Sequence, residues 1–194
     1  MGKYILSSHN SWSFLSAKKW WMRPFSFMAR CQRIDIYQQY QLGVRCFDLR
    51  IKFDKSGLLQ VAHGMMVYDI NSSQLKEHLQ WIHDRGDCMV RVLHEVRRKA
   101  EYTEKSARKF GSWCKEMEVT YHQIDFWGGN NLYNWNVDYD FWCKPTCEEI
   151  YASVRPPRLI DDWWPWLYAR LNNKHIKQAG TTKDILMIDF VDIG

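Results

Sequence analysis

Gly43-Val44-Arg45-Cys46-Phe47-Asp48-Leu49-Arg50-Ile51-Lys52-Phe53 is the stretch that decides how this chain folds. In it Phe47, Leu49, Ile51 and Phe53 alternate with Cys46, Asp48, Arg50 and Lys52. Side chains switch face at every residue of a strand. One face is therefore apolar, and the other carries an acid and a guanidinium pointing the same way. Taken alone, the pattern suits a half-exposed strand with a solvated ion pair. Two neighbours favour the floor of a polar site instead. Residues 4–9 read as a strand ending in Ser7-Ser8-His9-Asn10-Ser11. Residues 58–62 read as a strand returning from the turn Asp54-Lys55-Ser56-Gly57 and delivering His63-Gly64.

Further along, residues 89–96 form a buried strand whose inward face is either Val90, Val92 and His94 or Arg91, Leu93 and Glu95. The apolar strand 185–191 contains one charge, Asp189. A carboxylate there is costly unless paired, and a histidine is its simplest partner. Helices are expected over 32–41, closed by Gly43, and over 73–85, capped by Asn71 with Leu75, Leu79 and Ile82 on one face. Two more are expected over 105–118 and from Asp161 to about Asn172. Residues 121–127 read as a strand closed by a Gly128-Gly129-Asn130-Asn131 loop. Residues 130–147 are aromatic and irregular, suited to stacking on a sugar ring, and Arg155-Pro156-Pro157-Arg158 is the nearest thing to a linker.

The chain has 194 residues, which suits a single domain with a substantial core. Its net charge of +5 is mild: it favours an anionic membrane surface or a phosphate-bearing substrate and does not call for nucleic acid. Eleven Trp, ten Tyr and nine Phe exceed what a core of this size needs and invite an interfacial role. Lys18, Lys19, Trp20, Trp21 and Met22, followed by Arg23, Phe25 and Phe27, would make a membrane-docking loop. The same stretch also reads as a loop folding its aromatics back over the end of the domain. The six cysteines form no CxxC pair and read as free or buried thiols. No run is long and apolar enough for a transmembrane helix, and residues 1–16 lack the layout of a signal peptide. A soluble monomer with peripheral membrane contact is expected, in a compartment the sequence does not specify.

His-Asn near the N-terminus, then Gly-x-Arg-x-Phe-Asp-x-Arg at 43–50, then His63-Gly64 after a short hairpin, resembles the catalytic X region of the phosphatidylinositol-specific phospholipases C. The likeness covers roughly residues 4–97 and returns at 185–190. It implies an α/β fold, a distorted TIM-type barrel, here compact and in one domain over residues 1–194, because a full barrel needs about 250 residues. It also implies roles. His9 is the general base that takes the inositol hydroxyl proton, His63 the general acid, Arg50 the phosphate clamp, and Asp189 the carboxylate that orients His9. Asp48 would fix Arg50 or His63, while Asn10 and His94 would face the substrate. The products would be diacylglycerol and a cyclic inositol phosphate, from a phospholipid or glycolipid substrate. Residues 17–28 match the place where bacterial members carry lipid-contacting residues.

Asn10 departs from the bacterial pattern, which has Asp there; the calcium-dependent members have Asn as a ligand. Arg50 stands where those calcium enzymes keep an acid, and its fixed charge would repel Ca²⁺. No metal and no cofactor are therefore expected. Two other functions fit the residues less closely: a metal-dependent phosphodiesterase of the glycerophosphodiester type, and an inactive lipid-binding barrel.

Overall fold

Strand β2 (Val44–Phe53) has neighbours on both edges, and its apolar residues Phe47, Leu49 and Ile51 are wholly buried under the helices on one face. The computed structural model describes residues 4–96, 103–130, 150–153, 164–179 and 185–193. On one edge β2 runs parallel to β1 (Ile5–Ser8) and then antiparallel to β3 (Leu59–His63); on the other it runs parallel to β5 (Met89–His94). The remaining strands are β4 (Met66–Val67), β6 (Asp125–Asn130), β7 (Ile150–Ser153) and β8 (Ile185–Ile188). Six of the strands are parallel in the order β7-β8-β1-β2-β5-β6, and the β3-β4 hairpin hangs from the far end of β2. Among the described residues four α-helices accompany them: α1 (Ile36–Gln41), α2 (Ser72–His83), α3 (Glu104–Thr120) and α4 (Pro165–Ala179).

The fold is thus mixed α/β, as expected. Closure into a barrel is not reached among the described residues, where no pairing joins β6 to β7. A chain well short of the usual barrel length has less material with which to close the ring.

The sheet has two unlike faces. Phe47, Leu49, Ile51, Val90, Val92, Leu186 and Ile188 join Leu75, Leu79 and Ile82 of α2 and Phe110 and Met117 of α3 in the main core. Truncating one such side chain to Ala leaves a cavity and costs about 2–5 kcal/mol. On the opposite face Cys46, Met89, Trp127 and Ile185 form a smaller apolar cluster. Above it, toward the carboxyl ends of the strands, that face turns polar.

Local chemistry fixes the helix starts. Asn71 with Gln74, Thr103 with Ser106 and Asp35 with Gln38 each form a reciprocal capping box. α1 is shorter than the expected 32–41. Gln32 is occupied elsewhere: its Nε2 donates to the carbonyls of His9 and Ile188, both at 3.1 Å, and its Oε1 accepts from the Val191 N–H. The helix begins only after the Asp35 cap. Gly128 and Gly129 do not form the expected loop; they continue β6, opposite Val92 and Leu93. The helix expected from 161 begins at Pro165 among the described residues and runs on to Ala179. The aromatic stretch 131–147 and Arg155–Arg158 lie outside the described residues.

Candidate active site

β1 and β8 pair in parallel with Ser8 opposite Ile188, so the next residues, His9 and Asp189, leave the sheet side by side. His9 Nδ1–H donates to Asp189 Oδ1 at 2.7 Å. Asp189 is buried, and the histidine meets its charge as the sequence demands. Asn173 of α4 braces this turn by donating to the carbonyls of Asp189 and Phe190, where Phe190 holds a φ of 47°.

Asp48 and Arg50 share the polar face of β2 and are bonded to each other: Arg50 Nε donates to Asp48 Oδ2 at 2.9 Å. Arg50 Nη1 lies 3.6 Å from Glu95 Oε2, and Nη2 donates to His9 Nε2 at 2.6 Å. A nitrogen that accepts from a guanidinium carries no proton. His9 is then the neutral imidazole protonated at Nδ1, the form in which a base aims its lone pair outward. Asp48 is wholly buried and multiply held, by the Asn10 N–H at 2.9 Å on Oδ2 and by Arg91 Nη1 at 3.5 Å on Oδ1. Burial alone would raise its pKa; Arg50 and then Arg91 overcome this and hold the carboxyl well below the usual range. Burial likewise works against the Arg50 charge, but Asp48 and Glu95 keep its pKa above the ordinary value.

His63 ends β3 and faces His9 edge-on, with ring centroids 5.6 Å apart. Its Nδ1–H donates to the Ala29 carbonyl at 3.2 Å, which leaves Nε2 as the unprotonated nitrogen of the neutral ring. Its pKa is depressed to about 3, by burial first and then by the positive charge of Arg50. The Gly64 N–H beside it donates to Glu95 Oε1 at 2.7 Å, so Glu95 ties the His63 turn to Arg50.

His9, His63, Arg50, Asp48 and Asp189 therefore converge. Two other expected site residues do not join them as expected. His94 has the strand parity of Val90 and Val92 and points to the helix face, where its ring stacks on Phe110 of α3 at 4.8 Å. Asn10 is wholly buried at a left-handed position (φ 45°); its Nδ2 donates to the Tyr68 hydroxyl at 3.0 Å, so it walls the site without lining the opening. Asp48 contacts Arg50 and not His63 directly. Glu95, Arg91, Tyr68 and Cys31 were not singled out from the sequence. Glu95 and Arg91 belong to the inward set left open for β5, and strand parity with Leu93 is the signal that finds them. Cys31 and Tyr68 lie in connections whose path the sequence does not specify.

The basic, aromatic stretch is a 3-10 run over Trp20–Met28, with Trp20 78% and Trp21 53% exposed beside exposed Lys18 and Lys19. Phe25 and Phe27 are exposed as well, but Met22 is half-buried and packs on the main core. The run leaves through Ala29, whose carbonyl receives both His63 Nδ1–H and the Tyr68 hydroxyl at 3.1 Å. Among the described residues no helix is long and apolar enough to cross a membrane.

No family model and no curated protein matches the chain. Solved structures do. The phosphatidylinositol-specific phospholipase C from Listeria monocytogenes superposes with a TM-score of 0.65 at 13% identity, covering 96% of this chain and 87% of that one. The H258Y mutant of the Staphylococcus aureus phosphatidylinositol-specific phospholipase C gives 0.62 at 14% identity, covering 96% and 84%. Another structure of the S. aureus enzyme, from work on modulation of its membrane binding, gives 0.57 at 13% identity, covering 96% and 85%. At such identities the likeness is one of fold, and the chain shares its fold with these bacterial phospholipases C.

Proposed function

We propose that this protein cleaves phosphatidylinositol, or a related inositol phospholipid or glycolipid, by acid–base catalysis between His9 and His63 with Arg50 as the phosphate clamp. The observation that carries the reading is the meeting of these three side chains, Arg50 from within β2 and the two histidines from the carboxyl ends of β1 and β3. His9 Nε2 and Arg50 Nη2 lie 2.6 Å apart, and the His63 ring lies across from His9. A phosphodiester entering this gap takes the Nη2 donor for a phosphoryl oxygen, and Nε2 is freed to accept the inositol 2-hydroxyl proton. Asp189 stabilises the imidazolium that forms, as the carboxylate of a catalytic triad does. The hydroxyl oxygen bonds to phosphorus, the diacylglycerol oxygen leaves, and His63 gives it a proton.

His63 has to be charged to do this. Without ligand, burial and the neighbouring positive charge keep it neutral. The phosphodiester supplies a negative charge beside it and so draws a proton onto the ring. Substrate thereby creates its own acid.

Catalysis without Ca²⁺ is part of the proposal. Asp48 has both oxygens engaged by Arg50, Arg91 and the Asn10 N–H, and Glu95 Oε1 is taken by Gly64. A hard cation wants a set of free oxygens; Glu95 Oε2 makes no hydrogen bond, but it faces the Arg50 guanidinium at 3.6 Å, and one such oxygen is not a set. The exposed Lys18, Lys19, Trp20 and Trp21 fit an anionic lipid surface, and the direct link from their segment through Ala29 to His63 sets them close to the chemistry. We take the protein to act as a monomer at that surface.

The test is diacylglycerol release from phosphatidylinositol vesicles, with and without EDTA. Release that survives EDTA and is lost in His9→Ala supports the proposal. A dependence on added Ca²⁺ points to a metal-dependent phosphodiesterase, and vesicle binding without release to a lipid-binding barrel.

A further inference from the structure

The ligand-bearing atoms of His9, Cys31 and His63 lie within 4.8 Å of one another. Cys31 takes no part in the acid–base chemistry, yet it sits buried at the back of the same gap, against Asp189 and Asn10. We infer that these three residues form a binding site for a thiophilic divalent cation, Zn²⁺ by its chemistry, that occupies the active site in competition with substrate.

The orientation of the two histidines carries this beyond proximity. A ligating imidazole characteristically donates its other N–H to a carboxylate or a carbonyl, which fixes the tautomer and the ring. His9 Nδ1–H is held by Asp189 at 2.7 Å, and His63 Nδ1–H by the Ala29 carbonyl at 3.2 Å. Both Nε2 atoms are therefore the unprotonated nitrogens, and the one on His9 can ligate once Arg50 Nη2, now 2.6 Å away, is displaced. Two imidazoles and a thiolate, with a fourth position left open, match the preferences of Zn²⁺. With Zn–N near 2.1 Å and Zn–S near 2.3 Å, a tetrahedral centre needs ligand atoms about 3.4–3.7 Å apart, so the three side chains close inward by about 1 Å. The cation displaces Arg50 Nη2 from His9, and the guanidinium keeps Asp48 and Glu95 as partners. Binding converts the Cys31 thiol to a thiolate and releases that proton to solvent; no electron is transferred. The three acids Asp48, Glu95 and Asp189, against the guanidiniums Arg50 and Arg91, leave a negative surplus to receive the ion. The hard Ca²⁺ ion gains nothing from sulfur, so the site separates the two cations.

The test titrates the metal-free, reduced full chain with Co²⁺ alone. The expected result is a thiolate-to-cobalt charge-transfer band in the near ultraviolet that saturates at one equivalent and disappears in Cys31→Ser. No band, or a band unchanged in Cys31→Ser, overturns the inference. X-ray absorption of the Zn²⁺-loaded unmutated protein is a second check should Cys31→Ser fail to fold: one sulfur and two imidazole nitrogens are expected, and a shell without sulfur overturns the inference. That the bound cation silences catalysis rests on the proposed acid–base pair. The cobalt band together with unimpaired phosphatidylinositol cleavage at saturating metal would retain the site and count against the roles of His9 and His63.

Discussion

Replacing His63 with Gln tests the charge state of this ring through the stability of the whole fold. The folded protein holds this ring at a pKa of about 3, against an ordinary 6.5. A depressed base loses stability as pH falls: below 6.5 the unfolded chain binds a proton that the folded chain refuses, and the loss grows until the folded pKa is reached. Each pH unit in that window costs about 1.4 kcal/mol. Between pH 7 and pH 4.5, His63 alone should remove about 2–3 kcal/mol of unfolding free energy. His94, held at about 4 by burial, contributes in the same direction, and His78, also lowered chiefly by burial, adds further. The informative quantity is therefore a difference. Urea unfolding of the unmutated protein and of His63→Gln, each at pH 7 and pH 4.5, gives two pH-dependent losses. The unmutated protein should lose about 2–3 kcal/mol more than the variant. Equal losses would show that His63 is not held neutral in the folded state, and the account of its charging by substrate would fail.

The other predictions address the site directly. Binding of inositol 1-phosphate near pH 6 should take up protons as His63 becomes charged, read from calorimetry in two buffers of different ionisation enthalpy; no uptake would contradict the mechanism. Asp189→Asn removes the negative charge 2.7 Å from His9 Nδ1 and can present an amide N–H there instead, and should lower kcat by about 10²–10⁴-fold while the fold persists by circular dichroism. Arg50→Met strands the buried Asp48 and Glu95 and should cost about 3–5 kcal/mol in urea unfolding; Arg50→Lys should recover part of that stability but little activity, since one ammonium cannot replace the three directed contacts. Trp20→Ala with Trp21→Ala should depress turnover on vesicles much more than on a water-soluble inositol phosphodiester, and equal loss on both substrates would assign these indoles a structural role.

The site was legible in the sequence wherever strand alternation controls it. On β2 the period of two sorts Asp48 and Arg50 from Phe47, Leu49 and Ile51, and burial on both edges leaves them no freedom. Asp189 could be paired with a histidine because an apolar strand cannot carry an unpartnered carboxylate. His94 shows the limit. Periodicity leaves two registers for β5, and the choice falls to the packing of Phe110 from a helix that is distant in sequence. Gly128 and Gly129 misled for a related reason: glycine favours turns by itself, but pairing with β5 overrides that local tendency. Contacts made by connections, such as the Ala29 carbonyl on His63 and Tyr68 on Asn10, depend on where the loops cross the strand ends, and no periodic signal encodes them.

The central claim is that His9 activates a hydroxyl of the substrate itself. Phosphorus NMR of the earliest product from phosphatidylinositol, formed in ¹⁸O-labelled water, tests it most directly. The account predicts a five-membered cyclic inositol phosphate that carries no label, appears before any monoester, and is absent with His9→Ala. A linear inositol phosphate labelled from the first turnover would make water the nucleophile and contradict the account.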